Sequence, residues 1–281
     1  KTRYRRNGKP HTKTRKDPLP YELQKCINFG CVNYINALPF SLPLLENSYL
    51  QLHLAPPAEL LKKILHHEID CALTSSIGTV AQKLQCLPGW GIAAHKHVQS
   101  VNLYTSSSFF SSSRPKVAIT NESLSSVALF KILCHNLWQV PSPQIERLSP
   151  SEIINLSPDR YDGLLLIGDA ALKHPQIPQF TTHDLAQCWD ELTGLPFVFA
   201  VVLNRTSWKN CSSLIHLALD AALSHFENSP QEVVETAHKR INLSHKDLQA
   251  YYSLLRYRLG EEDYAGLKEF QKYYDRLLQK T

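Results

Sequence analysis

Apolar and polar positions in the first hundred residues follow two alternating rhythms. Cys26 to Val32, CINFGCV, is apolar almost throughout and reads as a strand. Asn33 to Phe40 reads as a loop leading into a short helix that holds Leu42, Leu44 and Leu45. Tyr49 to Leu54 is a second strand, with Leu50, Leu52 and Leu54 alternating. Pro56-Pro57 opens a helix through His67, because proline is tolerated in the first helical turn; Leu60, Leu61, Ile64 and Leu65 are its apolar stripe. Asp70 to Thr74 is a short buried strand, and Ser75-Ser76 are placed to cap a helix starting at Ile77. Such alternation of strand and helix predicts a parallel sheet.

Thr105 to Pro115, TSSSFFSSSRP, interrupts this rhythm and reads as a linker. A second series follows: strand Lys116 to Thr120, loop Asn121 to Ser126, and helix Val127 to Trp138 with Ser125 or Ser126 as its cap. Strand Tyr161 to Ile167 ends in Gly168-Asp169. The run Asp184 to Leu203, DLAQCWDELTGLPFVFAVVL, reads as helix, Thr193-Gly194 turn, proline and apolar strand. A strand apolar at every position is buried on both faces, as in a parallel sheet, and the turn before it suits a backbone-lined pocket wall. Beyond Asn204 the pattern is helical: Trp208 to Glu227, Pro230 to Ile241, His245 to Leu259 and Glu262 to Leu278, with Ser244 capping the third and Gly260 ending it. The expected organisation is two α/β lobes around a cleft. Residues 24–106 with 205–281 form lobe one, 107–204 form lobe two, and hinges lie near Thr105–Pro115 and Leu203–Arg205.

Composition narrows the class. A length of 281 residues suits two lobes, and 43% hydrophobic with 20% charged residues is ordinary for a globular protein. No stretch approaches the ~20 apolar residues of a membrane span. Seven cysteines without a C-x-x-C pair read as reduced thiols. Thirteen histidines show no H-E-x-x-H spacing, so neither a metal nor a cofactor is expected. The net charge of +5 misleads: the first sixteen residues hold eight Lys or Arg, and without them 22 basic residues face 25 acidic ones. The body is therefore mildly acidic and residues 1–23 are expected to be a basic, disordered tail. No nucleic-acid or membrane partner is expected. No secretory signal is visible, although Met is absent even at the first position, so the sequence need not start where translation does.

Ligands in open α/β sheets bind outside the carboxyl ends of strands. The polar residues there are Asn33, Asn36, Ser75, Ser76, Ser125 and Ser126, with one carboxylate, Asp169. No Gly-rich phosphate loop and no G-x-S-x-G occurs. Serine beside a helix N-terminus binds an anion through its hydroxyl and neighbouring N–H groups, or simply caps its own helix. The residues thus point to a cleft for a small anionic organic ligand, in an enzyme or in a solute receptor.

Six segments carry a resemblance. GCVNYINALPF (30–40), DCALTSSIG (70–78), ESLSSVALFKIL (122–133), YDGLLLIGDAAL (161–172), DLAQCWDELTGLPFVFAV (184–201) and YYSLLRYRLGEEDYAGLKEF (251–270) resemble the chorismate dehydratases of the futalosine route to menaquinone. The resemblance runs from about Cys26 to Leu278 and implies a two-lobe, periplasmic-binding-protein-like fold of the Venus-flytrap kind, with C-terminal helices. It also implies a cytoplasmic hydro-lyase that removes water from chorismate to give 3-[(1-carboxyvinyl)oxy]benzoate, with possible hand-off to the next enzyme. By position, Asn36 matches the family's key cleft asparagine and is expected to orient the departing hydroxyl. Ser100, Ser125, Ser126 and Ser75 or Ser76 match substrate-binding positions, and Gly168 and Thr193 lie at strand ends beside the cleft. Asp169 faces the ligand or caps the helix Ala170 to Lys173. With no general base in the motifs, the substrate's own enolpyruvyl carboxylate is expected to take the ring proton. Thr74-Ser75-Ser76 departs from the family's pattern, which often has valine and proline before the serine. The sister dihydroxynaphthoate synthases would carry S-P-D-x-N-D at the first loop and a catalytic histidine; a non-enzymatic binding protein for small carboxylates is the rival from another class.

Overall fold

The structure, a computed structural model, describes residues 26–204 and 212–279. The expected basic tail lies outside the described residues, as does Arg205 of the expected second hinge. The strands sort into two sheets. In the first, β1 (Ile27–Val32) lies between β2 (Leu50–Ala55) and β3 (Cys71–Ser75), parallel to both. β10 (Phe197–Asn204) follows β3, then β4 (Gln85–Ala94), then β11 (Leu255–Arg258) at the far edge. The second sheet has the order β7 (Gln144–Leu148), β6 (Lys116–Thr120), β8 (Gly163–Ile167), β5 (Val101–Thr105), β9 (Thr181–Asp184).

Three sequence expectations change here. The apolar strand β10 is antiparallel to both of its neighbours, β3 and β4, rather than parallel. An unbroken apolar run reports burial on two faces but not strand direction. β10 also belongs to the first sheet and β5 to the second, where β5 pairs with β8 and β9. The lobe boundaries therefore move: the chain crosses between Ala94 and Val101 and returns between Thr193 and Phe197. Finally, the serine-rich segment is a turn packed inside the second lobe, not a linker. Asp162 clips it by accepting from Ser108 Oγ at 2.6 Å and from the Lys116 N–H at 2.8 Å, and Phe109 is fully buried.

The helices up to the second crossing are α1 (Leu38–Leu45), α2 (Pro57–Leu65), α3 (Ile77–Val80), α4 (Ser125–Asn136), α5 (Pro150–Ile154), α6 (Gly168–Lys173) and α7 (Leu185–Thr193). α7 begins on Asp184, whose Oδ1 accepts from the Ala186 N–H; its other oxygen accepts from Val98 and Gln99 and so pins the first crossing. It ends at Gly194 in the left-handed conformation. After α8 (Ser212–Asn228), α9 (Pro230–Ile241) and α10 (His245–Leu254), β11 occupies the stretch read as the end of a helix. Gly260 accordingly stands before α11 (Glu261–Leu278) rather than after α10. α11 lies against β10, so close that a Cβ on Gly266 would sit 2.0 Å from the Pro196 carbonyl oxygen.

Candidate active site

Residues 33–37 connect β1 to α1 through a single 3-10 turn, Ile35–Ala37. Three of its carbonyls are held from outside. Tyr252 donates to the Ile35 carbonyl and Tyr257 to the Asn36 carbonyl, both at 2.8 Å. Arg240 donates to the Asn33 carbonyl. Burial lifts the Tyr251, Tyr252 and Tyr257 phenols above their ordinary value, so they stay protonated donors. The Asn36 side-chain oxygen is buried without a partner; Asn33 Oδ1 is too, but only Asn36 lines the cavity between the lobes. A buried polar atom left unpaired is costly, and one that faces a cavity is a ready ligand contact.

The cavity is narrow, about 40 Å³, room for roughly three waters. Of the sequence-derived site residues, the structure brings Asn36, Ser75, Ser100, Ser125, Ser126 and Gly168 to its walls. Ser100 Oγ accepts from Tyr251 at 3.1 Å and keeps its own proton to donate. Gly168 has φ +57°, and a Cβ there would sit 2.7 Å from the Tyr34 ring. Among the described residues, no charged side chain lines the cavity.

Ser76, Asp169 and Thr193 are not on the wall. Thr193 Oγ1 donates to the Trp189 carbonyl, inside its own helix end. Ser76 donates to the Val198 carbonyl at 2.7 Å. It does not cap α3; the Ile77 N–H is instead taken by Ser125 Oγ of the other lobe at 2.9 Å. Ser125 is thus no cap of α4 either, and the Ser126 N–H goes to Ser123 Oγ. Ser75 and Ser125 hydroxyls meet across the cleft at 2.6 Å, and Ser125 meets Ser76 at 3.0 Å. One proton arrangement satisfies all three: Ser75 donates to Ser125, Ser125 to Ser76, and Ser76 to Val198.

Asp169 neither caps α6 nor faces the cavity. Its Oδ1 accepts from the Ile35 N–H at 2.9 Å, and its Oδ2 pairs with Arg240 Nε at 3.0 Å. Burial raises its carboxyl above the usual range, against the lowering pull of that N–H and of Arg240. Tyr34 donates to Glu122 Oε2 at 2.7 Å, and burial together with that carboxylate pushes its phenol up. The roles of Tyr34, Glu122, Arg240, Tyr252 and Tyr257 were not legible in the sequence. They lie 88 to 221 residues from their partners in four of these contacts, and no local pattern carries such spacing.

These features define a two-lobed α/β protein of the periplasmic-binding-protein kind, with its cavity between the lobes. Solved structures agree on the fold. A protein of Archaeoglobus fulgidus superposes with a TM-score of 0.75 at 13% identity, over 89% of this chain and 97% of that one. The periplasmic aliphatic sulphonate binding protein of Escherichia coli gives 0.60 at 14% identity, over 90% and 87%. The chain belongs to the menaquinone biosynthesis family, whose model matches residues 27–276. The chorismate dehydratase of Thermus thermophilus is 34% identical over 261 residues, 86% of this chain and 92% of that protein. That of Campylobacter jejuni is 28% identical over 252 residues, 87% and 96%. No helix among the described residues is long and apolar enough to cross a membrane.

Proposed function

We infer that the chain is a chorismate dehydratase, a hydro-lyase that turns chorismate into 3-[(1-carboxyvinyl)oxy]benzoate for menaquinone formation. The observation that carries this reading is Asn36, which lines the cavity between the lobes and whose amide oxygen is buried without a partner among the described residues. There it orients the ring hydroxyl that departs. The two substrate carboxylates would find hydroxyl donors rather than cations, Ser100 and Ser126 on the cavity wall. Hydrogen bonds to a charged group contribute about 1.5–3 kcal/mol each.

Among the described residues, no Asp, Glu, His or Lys lines the cavity. Its one ionisable wall residue, Tyr34, is bonded to Glu122 and stays protonated. The substrate's enolpyruvyl carboxylate is then the base. It takes the proton from the ring carbon beside the one bearing the hydroxyl. The freed electron pair completes the aromatic ring, and hydroxide leaves with a proton as water. Aromatisation drives the reaction, and the protein supplies orientation and enclosure. A cavity of about 40 Å³ is smaller than chorismate, so the lobes part for entry and close on the bound molecule. A cytoplasmic location and release of product to the next enzyme of the route go with this reading.

The test is purified protein with chorismate alone, followed by ultraviolet absorbance and mass. Loss of one water to an aromatic product is expected, and Asn36→Ala should lower kcat by about 10²–10³-fold, the usual cost of one oriented polar group. Chorismate bound but unchanged would make the chain a binding protein. No response would leave the sister dihydroxynaphthoate synthase reaction, which calls for a histidine that this cavity lacks.

A further inference from the structure

Two carboxylates of the second lobe grip consecutive residues of the first. Glu122 follows β6 and takes the Tyr34 hydroxyl at 2.7 Å; Asp169 follows β8 and takes the Ile35 N–H at 2.9 Å. β6 and β8 are parallel neighbours, so both acids stand at the same end of one sheet. Between them, the Tyr34 ring lies against Gly168, whose own N–H is tied to the Ser100 carbonyl at the crossing. Arg240, on α9 of the first lobe, closes the circuit by pairing with Asp169 and donating to the Asn33 carbonyl. The residue that follows this grip is Asn36.

We propose that Asp169 and Glu122 are positioning residues that make the placement of Asn36 depend on lobe closure. The argument rests on the dehydratase reading above. From its own lobe, the 33–37 turn is held through the Asn33, Ile35 and Asn36 carbonyls, each of which receives a donor, and through the Asn33 N–H, which donates to the Ala55 carbonyl. The bonds to the Ile35 N–H and to the Tyr34 hydroxyl come only from the second lobe. When the lobes separate, both donors turn to water and the turn loses the two anchors that immediately precede Asn36. Closure restores them, and the Asn36 amide meets the departing hydroxyl in register. Neither carboxylate lines the cavity, so neither is offered as a contact to substrate. Displacing a positioned group by about 1 Å is enough to cost ~10²-fold in rate.

The experiment is steady-state kinetics of Asp169→Ala, Glu122→Ala, Asp169→Asn and Glu122→Gln, each alone and on the Asn36→Ala background, with melting temperatures alongside. The alanine variants should lose ~10²-fold in kcat, with KM for chorismate nearly unchanged. Asparagine and glutamine keep an acceptor oxygen and should recover about tenfold of that loss. On the Asn36→Ala background the alanine substitutions should add almost nothing, because residues that act through one group are not additive. Full additivity on that background, or a rise in KM with kcat intact, would overturn the proposal. So would wild-type kinetics in all four single variants. A wild-type protein that leaves chorismate unchanged would instead overturn the functional reading. If the alanine variants fail to fold, the asparagine and glutamine variants alone decide the question by their kcat and its additivity with Asn36→Ala.

Discussion

In front, around the cavity, the two lobes touch through hydrogen bonds: Ser75 to Ser125, Ile77 to Ser125, Tyr34 to Glu122, Ile35 to Asp169. Behind, they touch through rings. Trp189 on α7 of the second lobe is fully buried, edge-on to Phe197, Phe270 and Tyr273 of the first at 5.4, 6.4 and 5.8 Å between centroids. The difference is one of exchangeability. A hydrogen bond broken at a wet cleft is replaced by one to water, so its net contribution is only about 0.5–1.5 kcal/mol. Buried aromatic surface has no such substitute. The front seam is therefore expected to open at small cost, with the rear seam as the pivot.

The sharpest way to break this contrast is Trp189→Ala. It should cost about 3–5 kcal/mol of stability, read from a urea midpoint, as large aromatic truncations in cores do. A loss below about 1 kcal/mol would show that the rear seam carries no such share. Ser125→Ala should cost far less, about 1 kcal/mol, yet widen the average lobe angle, measured as a larger radius of gyration by small-angle scattering. An unchanged radius would mean the serines do not hold the front closed.

The smallest effect comes with acid. Burial raises the folded-state pKa of Asp169 above its ordinary 3.8. Stability from this group is fully present below that ordinary value and is lost as pH rises through the raised one, so protonating it does not unfold the protein. Protonation does weaken the pair with Arg240, with Lys173 the other nearby cation. Falling pH should thus lower kcat above the ordinary carboxylate range while the melting temperature holds, and Asp169→Asn should erase that acid limb. Parallel decline of kcat and melting temperature would remove the distinction between the seams.

Much of the fold was legible because it is local. The DLAQCW helix was read to end at the Thr193-Gly194 turn, and it does; its cap at Asp184 is equally local. Asn36 stands out in a turn between an apolar strand and a proline-bearing helix, and it does reach the cavity. What escaped was set by partners far along the chain. β4 hides in QCLPGWGIAA, whose proline and glycines look like loop, and is a strand because β10 and β11 flank it. Serine-rich composition suggested a linker at 105–115, but burial of the single ring Phe109 folds it into the second lobe. The serines were read one by one as caps or ligand donors; their bonds to each other appear only when two lobes are brought face to face.

The place of β10 in the first sheet also bears on how the chain is made. It lies between β3 and β4, and is encoded after the whole second lobe. On a ribosome the contiguous stretch from β5 to α7 can collapse as soon as it emerges. The earlier-synthesised β1, β2 and β3 must meanwhile wait, with β3 presenting an unpaired edge, until residue 204 has left the exit tunnel. The first strands to be translated are thus among the last to be paired, and that interval is when a chaperone has the most to shield.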